Sequence, residues 1–137
     1  MPLDHGLCVV VTHRPDHTLH STVVNAGALL HPVTGRRVVG FVARGGTRKV
    51  AHLRSDPTIA VVARAGWQWM TVEGRAELIG PDDPHVNVDA DRLRRLFRQV
   101  FEAAGGTHDD WDTYDRTMRE ERRCAVLVEP TRSYSNP

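Results

Sequence analysis

The chain has 137 residues, of which 40% are hydrophobic and 26% charged, and it carries a formal net charge of +1, which is typical of a globular protein that buries its own core. No apolar run approaches the length of a membrane span and no signal peptide opens the chain, so we expect a cytoplasmic protein without a membrane partner. Residues 1–60 hold seven basic against three acidic residues and residues 81–130 hold eight against twelve, a local positive excess that suits a small anionic ligand better than a nucleic acid.

The first half of the chain alternates apolar strands with turns. The predicted strands of this half are Leu7–Val11, Thr18–Leu30 and Arg37–Ala43. A bend at Gly45 and Gly46 follows the third strand. A short helix is then predicted over Thr47–Ser55, and Pro57 ends it because the residue before a proline disfavours helix.

The second half adds three strands and two helices. The predicted strands are Thr58–Ala63, Gln68–Ile79 and Cys124–Val128, ahead of a tail at Arg132–Pro137. Apolar residues from Leu93 to Phe101 recur with helical period and predict an amphipathic helix that Gly105 ends. Thr107 is the predicted N-cap of a second helix that runs to about Arg122. Six strands with few helices favour one domain over residues 1–137, a mainly antiparallel β-barrel with helices packed outside it.

The sequence Thr47-Arg48-Lys49 places a hydroxyl and two cations at a helix start, and Lys49 is the only lysine of the chain. Helix starts expose unpaired backbone N–H groups and the positive end of the helix dipole, so they attract anions. Cations there are mildly unfavourable unless a bound anion compensates them. The pattern suits a phosphate site, although solvated basic residues would give the same sequence.

Other chemical patterns are weaker. Trp67 and Trp69 are more typical of core or interface packing than of stacking on a ligand ring. His13, His17 and His20 have a spacing that would suit a metal on a helix, but they straddle a predicted turn, and we predict no metal site.

The sequence offers no catalytic motif. The aspartates between Asp109 and Asp115 are explained by the stabilising effect of negative charge at a helix start. Motifs of serine hydrolases, zinc proteases, P-loop enzymes and Rossmann enzymes are missing from the sequence, and no nucleophile is paired with a base. We therefore predict no catalytic side chain.

Three blocks of sequence carry a family resemblance. They are VVGFVARGGTRKVAHLRSDPTIAVV, AGWQWMTVEGRAELIGPDD and GGTHDDWDTYDRTMREERRCAVLVEPTRSYSNP, which span most of residues 36–137. In their order and spacing they resemble the FMN-binding split-barrel superfamily, which has the pyridoxamine-phosphate-oxidase-like (PNPOx-like) fold. Within it the chain is most similar to the branch of probable coenzyme F420-dependent oxidoreductases.

This resemblance implies a homodimer of six-stranded antiparallel split barrels, with two cofactor sites at the subunit interface. The implied cofactor-binding residues are Ser21, Val42, Ala43, Arg44, Thr47, Arg48, Lys49 and Trp67. Among them Thr47 to Lys49 would hold the cofactor phosphate, and Val42 to Arg44 would run along the ring. Trp67 would come from the partner subunit, Ser21 would border the pocket, and the segment from Tyr134 to Asn136 would close over the ring.

The function implied is hydride transfer from reduced F420 to a small unsaturated or quinone-like substrate. An FMN-dependent oxidoreductase and a non-catalytic carrier of F420 or flavin are the alternatives. By charge matching, Arg44 and Arg54 with Arg36 or Arg37 favour the acidic tail of F420 over FMN. Relatives usually begin with a helix ahead of the first strand, whereas here the strand starts almost at Met1. Either this sequence begins downstream of the usual start, or this edge of the pocket is more open.

Overall fold

The computed structural model describes residues 6–137, and they form a closed barrel of six antiparallel strands with three helices. The strands are β1 (Leu7–His13), β2 (Leu19–Leu30), β3 (Arg37–Ala43), β4 (Thr58–Ala65), β5 (Gln68–Ile79) and β6 (Cys124–Ser135). The helices are α1 (Arg48–Ser55), α2 (Ala90–Ala103) and α3 (Trp111–Glu120). The order around the barrel is β1-β2-β3-β6-β5-β4. The predicted mainly β, split-barrel fold class is confirmed.

The first half of strand β6, residues 124–128, organises the core because both of its faces are buried. Cys124, Val126 and Val128 point into the barrel interior, together with Phe41 of β3. The residues between them pack against α2 and α3 in a second apolar layer. A strand covered on both faces reads as an uninterrupted apolar run, which is the pattern of CAVLV in the sequence.

The predicted end of β6 is wrong, because the strand continues to Ser135 instead of stopping at Val128. Its outer half pairs only with β5, and the register shifts at a bulge between Glu73 and Gly74. Pro130 lies opposite Gly74 at this bulge, where a residue without an N–H is tolerated. A polar segment with a proline looks like a strand end in sequence, but here the strand continues through it, paired on one side only.

Helices α2 and α3 each begin with an aspartate cap. Asp89 caps α2, its carboxylate accepting from the N–H of Arg92 at 2.8 Å. The expected cap of α3 was Thr107, but α3 begins three residues later, with the Asp110 carboxylate accepting from the N–H of Thr113 at 3.1 Å.

No helix of residues 6–137 is long and apolar enough to cross a membrane.

Helix α2 is seated against β2 through a backbone contact at Gly27. A Cβ atom added at Gly27 would lie 2.0 Å from the carbonyl oxygen of Ala103, at the end of α2. A side chain at this position would push the helix off the sheet and open the apolar layer beneath it.

We therefore predict that Gly27→Ala lowers the free energy of unfolding by about 1–3 kcal/mol, the usual cost of overpacking a core. Ala28→Val is the matched control, because it adds volume at the adjacent exposed position and should change stability by less than about 0.5 kcal/mol. Urea denaturation of both variants measures the difference. Equal stability of the two variants would contradict the role given to Gly27.

Candidate functional site

The candidate site is the segment that joins β3 to α1, which two glycines hold in place. The N–H of Gly45 donates to the carbonyl of Glu121 at 3.2 Å, and an added Cβ would lie 2.5 Å from the carbonyl oxygen of Arg122. Gly46 has a φ of +80°, a conformation that favours glycine. This double-glycine bend fixes where α1 begins.

The start of α1 differs from the other two helix starts. Thr47 is its N-cap residue, but its side chain makes no capping hydrogen bond, because the hydroxyl donates to the carbonyl of Arg44 at 3.1 Å. The first turn holds no acidic residue, whereas α2 has Asp91 and α3 has Asp112 there. The first N–H groups of α1 are therefore free to bind an anion.

The two cations of this turn have no carboxylate partner within residues 6–137. Arg48 is exposed, and Lys49 is half-buried with its Nζ atom 5.8 Å from the centre of the Phe41 ring. Burial, and to a lesser degree the nearby Arg123 guanidinium, lower the pKa of Lys49. A bound phosphate would offset both effects and supply charge-assisted hydrogen bonds to these side chains.

Two histidines lie beside this cation pair. His20 of β2 meets His52 of α1 edge-on, with 5.0 Å between the ring centres. The Nδ1 atom of His52 is 3.2 Å from the hydroxyl of Thr12. Burial lowers the pKa of His20, and the adjacent His52 and the positive charges of Arg14, Lys49 and Arg48 lower it further.

Two buried polar atoms of alternate β2 residues have no partner among the described residues. The Nδ1 atom of His20 and the hydroxyl oxygen of Thr22 are both buried without a hydrogen bond. Buried polar atoms are normally satisfied, so such atoms mark a place for a ligand or an ordered water. Together with the unpaired cations of α1, they fit a phosphate-bearing cofactor.

The remaining predicted site residues are spread over the barrel. Ala43 is buried in the core and Val42 is half-buried, so Ala43 can offer only its backbone to a ring. Arg44 is exposed, 3.9 Å from the Glu121 carboxylate. Ser21 lies opposite Val11 on the outer face of β2, and the inward face near α1 carries His20 instead.

Trp67 stands at the tip of the hairpin between β4 and β5, and it is 95% exposed. Asn136 holds this tip: its side-chain amide donates to the Trp67 carbonyl at 2.8 Å and accepts from the N–H of Trp69 at 3.0 Å. Tyr134 bonds the Glu73 carboxylate at 2.6 Å. The polar groups of Tyr134 and Asn136 therefore bind β5 and its hairpin, and whether the tail also covers a ring stays a prediction.

The charge argument for the F420 tail is wrong for two of its arginines. Arg54 forms two hydrogen bonds with the Asp83 carboxylate, at 2.9 and 2.7 Å. Arg36 pairs with Glu129 at 2.7 Å, and Arg37 lies at the far end of β3 from α1. The acidic partners of Arg54 and Arg36 lie 29 and 93 residues away in sequence, so no local sequence pattern predicts these pairs.

Within residues 6–137 the thiols and histidines supply neither an activated nucleophile nor a metal cluster. Within the described residues no group of three or more metal-ligating side chains is arranged to hold an ion. Burial raises the pKa of Cys124 to about 11 and also raises that of Cys8, so neither is an activated nucleophile. The sequence did not reveal that His20 and His52 lie beside the cations. Their contact depends on the pairing of Thr12 with His20 across β1 and β2, which the sequence pattern does not specify.

Solved structures resemble this chain, although no protein-family model matches it. A conserved hypothetical protein from Mycobacterium tuberculosis is 19% identical with a TM-score of 0.68, over 94% of this chain and 75% of that one. An F420 reductase is 16% identical with a TM-score of 0.64, over 97% and 90%. A pyridoxamine 5′-phosphate oxidase-related, FMN-binding protein from Nostoc punctiforme is 14% identical with a TM-score of 0.67, over 96% and 74%.

The position of His20 leads to a prediction about pH. Because the pKa of His20 is lowered by folding, His20 binds a proton near pH 6.5 in the unfolded chain but not in the folded chain. The free energy of unfolding should therefore fall as the pH drops from 7.5 to 5.5, and His20→Gln should flatten this slope in urea titrations. His17→Asn, which removes a histidine from the exposed turn of the same hairpin, is the matched control. Equal flattening in both variants would contradict the assignment to His20.

Proposed function

Because the chain has the split-barrel fold of the PNPOx-like, FMN-binding proteins, we propose that it is an F420-dependent oxidoreductase. When bound, the deazaflavin supplies hydride transfer to a small unsaturated or quinone-like substrate. The observation that carries this proposal is the start of α1, the one described helix with neither a side-chain cap nor an acid in its first turn. An anion-bearing cofactor is what such a start accommodates.

The roles of the chain's own residues follow from this placement. Arg48 and Lys49, with the backbone N–H groups of the first turn, hold the phosphate. Val42, Arg44 and the backbone of Ala43 would border the ring of the bound cofactor, and the apolar barrel would help to keep water from it. No side chain needs to act as acid or base, because the cofactor carries the reactivity and the protein orients it.

The site is proposed to be shared by two chains. Leu7, Val9, Leu19 and Val23 form an exposed apolar patch on the outer faces of β1 and β2, and Val23 is 61% exposed. Contiguous apolar patches of this kind mark protein–protein interfaces. A homodimer formed through this face would cover Ser21 and bring the partner's Trp67 to the cofactor.

An FMN-dependent oxidoreductase and a non-catalytic carrier remain the competing functions. FMN would use the same phosphate cradle, and one of the similar solved structures is named as an FMN-binding protein. The preference for F420 comes from the three sequence blocks and is supported by the likeness to an F420 reductase. A carrier would bind reduced cofactor without turnover of enones or quinones.

The cofactor is tested by calorimetric titration of the protein with F420 and with FMN. We expect micromolar or tighter binding of F420, and Lys49→Ala should weaken it by about 1.5–3 kcal/mol, the contribution of a hydrogen bond to a charged group. Arg116→Ala, on the exposed side of α3, is the control for removing a cation elsewhere. Binding of FMN alone would overturn the choice of cofactor, and unchanged affinity in Lys49→Ala would overturn the cradle.

The shared site is tested with mixed dimers of two defective chains, Lys49→Ala and Trp67→Ala, isolated by two different affinity tags. Each parent homodimer has two impaired sites. The mixed dimer has one site with both defects and one with neither, so we expect one site per dimer with wild-type affinity. A mixed dimer that binds as weakly as its parents would show that Lys49 and Trp67 do not meet across an interface.

A further inference from the structure

A second concave region lies in the helical layer outside the barrel. We call it the α2–α3 cleft: it is bounded by α2, α3 and the loop of residues 80–89, and its volume is about 630 Å³. This lies within the range of about 300–1,000 Å³ found for small-molecule pockets. None of the proposed cofactor-binding residues lines it.

The walls of the α2–α3 cleft are held in place by ion pairs. Asp83 of the loop is bound by Arg54 through two hydrogen bonds, and the neighbouring Asp82 is bound by Arg122. Arg98 joins α2 to α3 through two hydrogen bonds to the buried Asp115, at 3.0 and 2.5 Å. Ligand pockets are usually formed before the ligand arrives, and these contacts give the cleft that property.

The floor of the cleft is apolar. Ile79, Phe97 and Met118 are buried in the apolar layer and line the cleft from below, and Leu93 and Val88 flank them half-buried. An apolar ligand body would remove this remaining surface from water, at about 25 cal/mol for each Å².

One basic side chain in the lining of the cleft has no partner within residues 6–137. Asp89 caps α2, Asp91 pairs with Arg94 at 2.6 Å, and Asp115 is bound by Arg98. Arg119 lines the cleft, is exposed, and has no hydrogen-bond or ion-pair partner in the part of the chain that the structure describes. Each of these carboxylates already accepts a hydrogen bond, from the backbone N–H of Arg92 or from an arginine side chain, so the Arg119 guanidinium is available to bind an anion.

We propose that the α2–α3 cleft is a second ligand site, which binds a small amphipathic anion with an apolar body on Phe97 and Met118 and its negative group on Arg119. This site is independent of the proposed cofactor site, so neither proposal depends on the other.

The test uses the fluorescent probe 8-anilinonaphthalene-1-sulfonate, which combines an apolar ring system with one anionic group. We expect saturable binding with one site per chain. Decanoate should displace the probe, whereas decyltrimethylammonium, with the same alkyl chain and a positive head, should not. Equal displacement by both would overturn the role of charge in the proposal.

Two variants assign the binding to this cleft. Arg119→Ala should weaken probe and decanoate binding about fivefold, as expected for an exposed ion pair. Arg116→Ala, one turn earlier on α3 and outside the cleft, should leave it unchanged. Ala90→Trp, at an exposed position on the rim, should block binding while F420 affinity stays as in the wild type.

Probe binding that survives Ala90→Trp would place the probe elsewhere, for example on the exposed face of β1 and β2, and would overturn the proposal. Equal effects of Arg119→Ala and Arg116→Ala would do the same. If Ala90→Trp does not fold, as judged by its circular dichroism, the comparison of the two arginine variants decides alone.

Discussion

The proposed cofactor site depends on the unpaired positive charge at the start of α1. Two cations next to free backbone N–H groups repel the helix dipole and each other, and the described chain offers them no carboxylate. The fold nevertheless fixes this arrangement firmly, because Gly45 lies against the backbone of Arg122. A charge arrangement that is unfavourable in the empty protein becomes favourable when an anion is present, and this asymmetry is what a cofactor site requires.

The inner face of the barrel wall forms the core, whereas part of its outer face is exposed and apolar. Inward residues of β3 and β6 form the core with Phe41, and the opposite face of β6 supports α2 and α3. The outer faces of β1 and β2 remain uncovered and apolar. In the proposed dimer they would be covered by the partner, which would explain why the predicted cofactor residues Ser21 and Trp67 lie away from α1 within one chain.

Much of the fold could be predicted from the sequence, because alternation and helical period are local signals. The bounds of β3, β5 and α1 agree with their predictions to within one residue. The predictions that were wrong involve residues distant in sequence. Strand β6 continues past Pro130 because β5 is beside it, and Arg54 is neutralised by Asp83. The two cations at the start of α1 could be predicted from the sequence because they, like the helix itself, belong to a local pattern. His20 was visible only as a weak metal pattern, since its contact with His52 exists only after the strands pair.

The amide of Asn136 bridges both sides of the hairpin tip that carries Trp67. This contact ties the last residues of the chain to a turn almost seventy positions earlier. A relative that lengthens the turn by one residue would misalign the amide unless its C-terminal segment changed as well. The two segments are therefore expected to change together among relatives of this fold.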